Sequence, residues 1–387
     1  MSAADAAEPK VAYRFRRVGP DDRATLRHLV ETYVTPRGNA ARYGWLYEQN
    51  PQGPTESWIA LEPSRGGIVG FTSIFPRSFS VHGRMVQGGV GFDAFVRPDH
   101  RRRGLALALH KASLASMRSR EVPFHFMCGP PVRANLEALI KAGSQVVTEL
   151  RYYGLPLRLR GVAELVPKLS VPELPGRALR SAAEHLFWQA FGLSTGRVRA
   201  RAVDRMDARF DALWDTAKEA FGVIGLRDAR YLEWRYLRNP VSPSTLLALE
   251  DGNHLLGWAV LEAGERGVLW LDHLWSPAIA ERAALLRAVM AHAASMGGPR
   301  LIVRLSPEHP LAPLLGRHGF VSGMTRDPFQ VLVADDALGS TLTSAPSWHF
   351  ADGDLNPESA PWSVNTAPAE VWGKSEFIAG PEWVPPA

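Results

Sequence analysis

A short basic segment near residue 100 carries the residues best suited to chemistry. Residues 93–109 have the pattern of a strand, a turn at Pro98, a loop of arginines ending at Gly104, and an apolar helix. The first main-chain N–H groups of a helix have no partner inside it, and the aligned peptide dipoles add positive potential there. This stretch therefore predicts a phosphate-binding site.

The spacing within the loop points to one kind of phosphate. Arg101, Gly104 and Ala106 form an Arg-x-x-Gly-x-Ala pattern, whose small residues let a diphosphate approach the main chain. The loop follows Val96-x-Pro98, and in both respects the sequence resembles the GNAT acetyltransferase superfamily. The alternative is a helix N-terminus whose arginines are only solvated. The resemblance implies acetyl-CoA as cosubstrate, bound by Phe95, Val96, Arg101, Arg102, Arg103, Gly104, Leu105, Ala106 and Asn135.

The resemblance also implies direct attack of an amine on the thioester. A main-chain amide near Phe95 and Val96 would polarise the thioester carbonyl, and holding both reactants together supplies much of the rest. A base and an acid are expected for proton transfer. Family members often place a tyrosine four residues before the glycine of a short helix, where this chain has Leu139. The remaining candidates for proton transfer are Asp93, His125, Cys128, Tyr152 and Tyr153.

Each candidate has a structural alternative. Asp93 has a counterpart, Asp272, in a part of the chain that lacks the arginine loop, which favours a shared structural role. A lone histidine or cysteine on a buried strand, as at His125 and Cys128, is more often part of the core. The sequence leaves these roles open.

The chain contains an internal repeat. Trp45–Pro51 returns as Trp234–Pro240 with Trp, Tyr, Asn and Pro at identical spacing, and further on Asp93 aligns with Asp272. The matches keep their order while the loops of the second copy shorten. We predict an α/β fold with two tandem GNAT-like domains, each a mixed, mostly antiparallel twisted sheet flanked by helices.

The repeat also divides the chain. The predicted parts are an N-terminal GNAT domain that binds acetyl-CoA (11–157), a linker with an amphipathic helix (158–205), a degenerate C-terminal GNAT domain (206–335) and an irregular tail rich in Trp and Pro (336–387). Residues 280–285, which align with 101–106, lack the glycine and contain Glu281, so we expect one CoA per chain. No metal is expected, because Asp352 and Asp354 do not complete a calcium loop.

Composition limits the remaining classes. A chain of 387 residues with 46% hydrophobic content can form two domains, and its single cysteine excludes an internal disulfide. A polar start and the lack of a long apolar run predict a cytoplasmic protein without a membrane partner. The formal charge of +5 raises nucleic acid as a partner, but no binding signature accompanies it, and CoA phosphates would account for the basic residues 97–103. No oligomeric state is indicated.

The leading functional hypothesis is an acetyl-CoA-dependent N-acetyltransferase that acts on a small amine or amino sugar in a ternary complex. The tandem arrangement resembles bacterial double-GNAT proteins. One alternative is transfer of another acyl group, or an aminoacyl group, by the same scaffold. Another is a CoA-binding scaffold without turnover, which the missing tyrosine favours.

Overall fold

The structure, a computed structural model, describes residues 13–34, 40–63, 66–158, 197–264, 267–277 and 282–355. The chain divides into two compact units, each made of several stretches of sequence. The first contains Met1–Ser78, Val86–Val146 and Gln330–Gly339, and the second contains Phe79–Met85, Val147–Phe329 and Ser340–Ala387. The amphipathic helix predicted in the linker and the tail beyond residue 355 lie outside the described residues.

The first unit is built on a five-strand run in sequence order. Its elements are β1 (Arg14–Arg17), α1 (Arg23–Leu29), α2 (Ala40–Tyr43), β2 (Glu56–Leu61), β3 (Ile68–Val81), β4 (Arg84–Val96), α3 (Leu105–Arg118), β5 (Phe126–Gly129) and α4 (Arg133–Lys141). Strands β1, β2 and β3 pair antiparallel, whereas β4 and β5 pair parallel, with α3 as the crossover between them.

The core of the first unit lies between this sheet and α3. Leu105, Leu109 and Met117 recur at helical spacing on the buried face of α3 and pack in one cluster with Trp58 and Phe124. The indole N–H of Trp58 donates to the hydroxyl of Ser116 at 3.1 Å. This packing fixes the start of α3 relative to the end of β4, where the phosphate site is predicted.

The second unit repeats the order of elements. It contains β6 (Gln145–Pro156), β7 (Arg199–Ala202), α5 (Ala208–Ala217), β8 (Val223–Gly225), α6 (Ala229–Leu232), β9 (Thr245–Asp251), β10 (His254–Gly264), β11 (Gly267–Trp275), α7 (Arg282–Ser295), β12 (Arg300–Leu305), α8 (Ala312–Arg317), β13 (Val321–Val333), α9 (Gly339–Leu342) and β14 (Trp348–His349). Its sheet runs β6-β12-β11-β10-β9-β7, in which β11 and β12 are parallel and the other pairs are antiparallel. The prediction of a mixed, mostly antiparallel α/β fold flanked by helices is confirmed.

The last strand of each repeat completes the unit formed by the other repeat. Strand β6, which follows the first repeat, pairs with β12 of the second unit, and the end of β13 pairs with β5 of the first. The units therefore depart from the ranges 11–157 and 206–335 at these strands. A repeat specifies which elements form, but two equivalent edge strands can each satisfy either sheet, so only tertiary pairing selects the partner.

Smaller differences concern where predicted residues lie. His125 precedes β5 by one residue, and Tyr152 and Tyr153 lie inside β6. Trp348 and Phe350 are buried, so the described beginning of the predicted tail is part of the second unit. None of the described helices is long and apolar enough to cross a membrane.

Candidate functional site

The loop between β4 and α3 has the geometry of an anion site. Gly104 lies directly before α3 with φ +79°, a left-handed conformation that favours glycine. A Cβ atom built on Gly104 would meet no atom within 4 Å, so the space in front of the helix is open. The loop therefore exposes its main chain to a ligand.

The amide groups of this segment are available to such a ligand. In the described part of the chain, the N–H groups of residues 102–107 have no main-chain acceptor, and the first bonded one is that of Ala108, which donates to Gly104 O at 3.1 Å. Helix α3 has 14 residues, long enough to add its full dipole at this end. Unpaired amides and the dipole together favour a diphosphate.

The arginines of the loop are exposed, and two of them make hydrogen bonds that hold the loop in place. Arg101 Nε donates to Val96 O at 3.1 Å, and Arg103 Nη1 donates to Tyr13 Oη at 3.2 Å. Tyr13 Oη also lies 2.9 Å from His100 Nδ1. The backbone of Arg102 has φ +60°. These contacts hold the loop while leaving its positive charge at the surface.

Strands β4 and β5 pair over only a short stretch. Their parallel register joins Gly89 to Met127 and Val90 to Cys128, whereas β4 continues to Val96. On its other side the extension stays bound to β3, since Arg97 N–H donates to Val69 O at 2.9 Å. The end of β4, with Phe95 and Val96, thus has a main-chain edge beyond the β5 pairing, which is where a thioester carbonyl would need a donor.

Asp93 is buried in the same strand and is already engaged. Its carboxylate accepts hydrogen bonds from Arg42 Nη1 at 2.9 Å, from Arg42 Nη2 at 3.0 Å and from Tyr47 Oη at 2.9 Å. Burial raises the pKa of Tyr47 well above its ordinary value, and Asp93 raises it further, so the hydroxyl stays a donor. Asp93 has φ +45°, and this network holds the strained position in place. These contacts favour a positioning role.

Sequence reasoning did not find Arg42, because no motif marks it. It also did not find His110, which lies on the buried face of α3. His110 Nε2 lies 2.9 Å from Asn135 Oδ1, which joins α3 to the third residue of α4. Burial lowers the pKa of His110, so the ring is neutral and can orient the Asn135 amide.

Two further candidates lie in the first unit. His125 Nδ1 lies 2.8 Å from Asp335 Oδ2, and Arg120 Nη2 donates to the same oxygen at 3.1 Å. The His125 hydrogen bond is the main reason that the pKa of Asp335 is lowered. Cys128 is fully buried on β5 opposite Val331. His125 thus keeps access to solvent, whereas the thiol of Cys128 does not.

The two tyrosine candidates belong to the second unit. Tyr152 Oη donates to Asp327 Oδ2 at 2.7 Å and accepts from Arg304 Nη1 at 3.1 Å. Burial raises the pKa of Tyr152 well above its ordinary value, and burial also raises that of Tyr153. The structure therefore brings Asp93, His125, Cys128 and the residues predicted to bind CoA into one unit and places both tyrosines in the other.

The segment that aligns with the loop in the second repeat is only partly described. Ala280 and Glu281 lie outside the described residues. Ala283, which aligns with Gly104, lies within the first turn of α7. An alanine in that helical position has a Cβ atom where Gly104 has open space.

A family model and several solved structures are similar to this chain. Residues 15–132 match the family model of an acetyltransferase (GNAT) domain. The chain is similar to the crystal structure of a GCN5-related N-acetyltransferase from Kribbella flavida, with 14% identity, a TM-score of 0.55, and coverage of 84% of this chain and 72% of that chain. It is also similar to a probable N-acyltransferase from Enterococcus faecalis, with 11% identity, a TM-score of 0.58, and coverage of 84% and 74%.

A third similar structure holds an acyl-CoA. It is Saccharomyces cerevisiae N-myristoyltransferase with bound myristoyl-CoA, with 12% identity, a TM-score of 0.53, and coverage of 85% of this chain and 81% of that chain. The sequence matches no curated protein significantly. At these identities the three structures show a shared fold.

The family match covers the segment on which the site depends. Its range includes β4, the loop with Gly104, helix α3 and strand β5. The domain family and the fold support acyl-CoA-dependent acyl transfer to a nitrogen acceptor. Residues 15–132 are therefore similar to an acetyltransferase domain of the GNAT superfamily.

Proposed function

We propose that this chain is an acetyl-CoA-dependent N-acetyltransferase for a small amine or amino sugar, and that the first unit binds its one CoA. The observation that carries the proposal is the open, left-handed Gly104 at the start of α3, next to main-chain amides that lack a main-chain acceptor among the described residues. The exposed arginines beside it supply positive charge for the CoA phosphates.

The first unit would position the donor at three places. The amides of residues 102–106 would bind the diphosphate, and the Asn135 amide, oriented by His110, would hold the pantetheine arm. The main-chain amide at Phe95 or Val96 would donate to the thioester oxygen, where negative charge develops. The Arg42–Asp93–Tyr47 network keeps the end of β4 in the required conformation.

The chemical step would be a direct transfer. The amine nitrogen forms a bond to the acetyl carbon, the carbon–sulfur bond breaks, the nitrogen loses a proton and the CoA thiolate gains one. Asp93, His125, Cys128, Tyr152 and Tyr153 remain the candidates for moving these protons. Burial raises the pKa of Tyr152 well above its ordinary value, so its hydroxyl is protonated at neutral pH.

The test is a matched pair of glycine substitutions. Gly104→Val puts a branched side chain into the proposed diphosphate space, whereas Gly297→Val puts one at a second-unit glycine with φ +83° that also has open space around it. Both variants carry similar backbone strain. We expect Gly104→Val to weaken CoA binding at least tenfold by calorimetry and Gly297→Val to leave it unchanged.

Two results would contradict the proposal. One is unchanged CoA affinity in Gly104→Val, and the other is a stoichiometry of two CoA per chain. Release of free thiol from acetyl-CoA with a panel of amines tests turnover, and tight CoA binding without thiol release under any condition would instead support a scaffold.

A longer acyl donor is the second candidate, because the fold is shared with an N-myristoyltransferase. Competition among acetyl-, octanoyl- and myristoyl-CoA for the same site separates the two. Tighter binding of the longer chains would replace acetyl transfer by transfer of a fatty acyl group. Aminoacyl transfer would appear as turnover of an aminoacyl donor where acetyl-CoA gives none.

A further inference from the structure

Three histidines that are far apart in sequence meet in the second unit. His273 lies on β11, His309 precedes α8 and His349 lies on β14, and their exposures are 4%, 3% and 1%. One ring nitrogen from each lies within 4.8 Å of the others. The proposed acyl transfer uses none of these rings.

The rings surround a common point. The ring centres of His273 and His309 are 5.2 Å apart, those of His273 and His349 are 5.0 Å apart, and those of His309 and His349 are 4.8 Å apart. The interplanar angles are 70°, 69° and 52° in the same order. Such nearly equal separations with mutually inclined planes are what three imidazoles around one ion would show.

Hydrogen bonding inside the cluster is incomplete. Leu311 N–H donates to His309 Nδ1 at 3.1 Å, so that nitrogen carries no proton, and His309 Nε2 lies 2.8 Å from His349 Nδ1. His273 Nδ1 is buried without a hydrogen-bond partner among the described residues. A buried polar nitrogen without a partner is costly, and it indicates that a ligand completes the site.

We propose that His273, His309 and His349 bind one divalent first-row transition-metal ion, such as Zn²⁺. Metal–nitrogen bonds of about 2.0–2.1 Å in tetrahedral geometry place the ring centres of ligating imidazoles about 5 Å apart. The His309–His349 nitrogen pair would open by about half an ångström to reach the matching nitrogen separation of about 3.4 Å. Three imidazoles without a carboxylate favour zinc, copper or nickel over magnesium and calcium.

The surroundings of the rings are polar on one side and apolar on the other. Beside the cluster, Arg227 pairs with the carboxylates of both Asp272 and Asp354, so its positive charge is compensated. The main-chain N–H of His273 donates to Asp272 Oδ1 at 2.8 Å, which ties the backbone at His273 to this ion-pair network. Phe221 covers the other side, with its ring centre 4.7 Å from that of His349. Apolar cover keeps competing water away from the metal–nitrogen bonds.

Binding changes protonation but involves no redox step. Each ring donates one lone pair, and an ion on His309 Nε2 requires the ring proton to move to Nδ1. The hydrogen bond from Leu311 is then given up in exchange for the metal bond. A water molecule would fill the fourth position. The ion would tie β11, β14 and the segment before α8 together, so we expect it to stabilise the second unit.

The test begins with the full-length protein. Elemental analysis after purification without chelator, followed by stripping with EDTA and calorimetric titration with Zn²⁺, measures the stoichiometry and the affinity. We expect one ion per chain with a Kd in the micromolar range or tighter, and a Tm that rises with added Zn²⁺. His309→Asn and His349→Asn should each weaken binding at least 100-fold. His254→Asn, at the exposed first residue of β10, is the matched control and should bind as the wild type.

Two outcomes would overturn the proposal. One is metal-stripped wild-type protein that keeps its circular dichroism spectrum and takes up no Zn²⁺. The other is unchanged binding in both cluster variants. If the variants fail to fold, Co²⁺ added to the stripped wild-type protein decides, because a tetrahedral imidazole site gives intense visible absorption bands and their absence rejects the site.

Discussion

Two buried aspartates at equivalent positions of the repeat show how the two units differ. Asp93 in the first unit accepts a hydrogen bond from Tyr47 Oη at 2.9 Å, and Asp272 in the second accepts one from Tyr236 Oη at 2.7 Å. Both tyrosines come from the repeated Trp-x-Tyr segment. The shared Tyr–Asp pair is therefore part of the framework of both units.

The arginine that completes each pair differs. Arg42 and Arg227 do not align in the repeat, yet each binds the aspartate of its own unit. Arg227 also binds Asp354, and a Cβ on Gly353 would collide with Tyr236 and Asp272. Residues 353–354, near the end of the described residues, thus cover the second network, which we call the sealed network.

The first network instead supports an open site. Asp93 holds a left-handed residue in β4, a few residues before the loop in which Gly104 leaves open space. At the position of Gly104 the second repeat has Ala283, inside α7. The comparison favours a shared structural role for the aspartate, and it predicts that a functional difference between the units comes from the loop.

The largest effect is expected from replacing Arg227, the arginine of the sealed network in the second unit. Arg227→Met removes the guanidinium that binds both Asp272 and Asp354 in a fully buried position, and we expect the second unit to lose about 3–5 kcal/mol of unfolding free energy. Arg42→Met removes an arginine that pairs with one carboxylate, that of Asp93, and should have a smaller effect. Urea unfolding measures both. Arg238→Met, at an exposed ion pair, is the control and should change stability by less than about 0.5 kcal/mol. Equal losses for Arg227 and Arg42 would contradict the distinction between sealed and open networks.

The second-largest effect is expected from removing the hydroxyl groups of Tyr47 and Tyr236. Tyr47→Phe and Tyr236→Phe each remove one hydrogen bond to a buried carboxylate, which contributes about 1.5–3 kcal/mol. We expect both variants to be destabilised to this extent in urea. If only the first unit binds CoA, Tyr236→Phe should keep the wild-type CoA affinity by calorimetry. Loss of CoA binding in Tyr236→Phe would assign a binding role to the second unit.

The smallest effect is a pH dependence of stability. It arises from one position at which helices α3 and α7 differ. His110 of α3 aligns with Val289 of α7, at the offset that relates Asp93 to Asp272. Burial lowers the pKa of His110 below its ordinary value of 6.5. As the pH falls below 6.5, the unfolded chain binds a proton that the folded first unit disfavours, so stability present above 6.5 is lost.

His110→Val should remove this pH dependence. Between pH 7.5 and 5.5, we expect the wild type to lose up to about 1.4 kcal/mol more unfolding free energy than the variant. Urea midpoints at both pH values measure the difference. Identical pH slopes for the two proteins would show that the His110 ring is free to become protonated in the folded state.

Much of the first unit could be predicted from the sequence because its signals are local. The strand ending at Val96, the turn at Pro98 and the glycine before an apolar helix are all read from adjacent residues. The repeat likewise predicted the element order of both units, since conserved spacing of Trp, Tyr, Asn and Pro reflects one supersecondary pattern. The roles of individual residues in binding and proton transfer stay predictions.

The sequence by itself determined the α/β class, the order of the elements and the position of the glycine loop, because these depend on short-range periodicity and backbone conformation. Only the tertiary structure decided that the last strands are exchanged between the units, that Arg42 and Arg227 pair with equivalent aspartates, and that His273, His309 and His349 converge. These pairings join residues far apart in the chain. Their energies come from burial and charge compensation, which no local pattern of residues records.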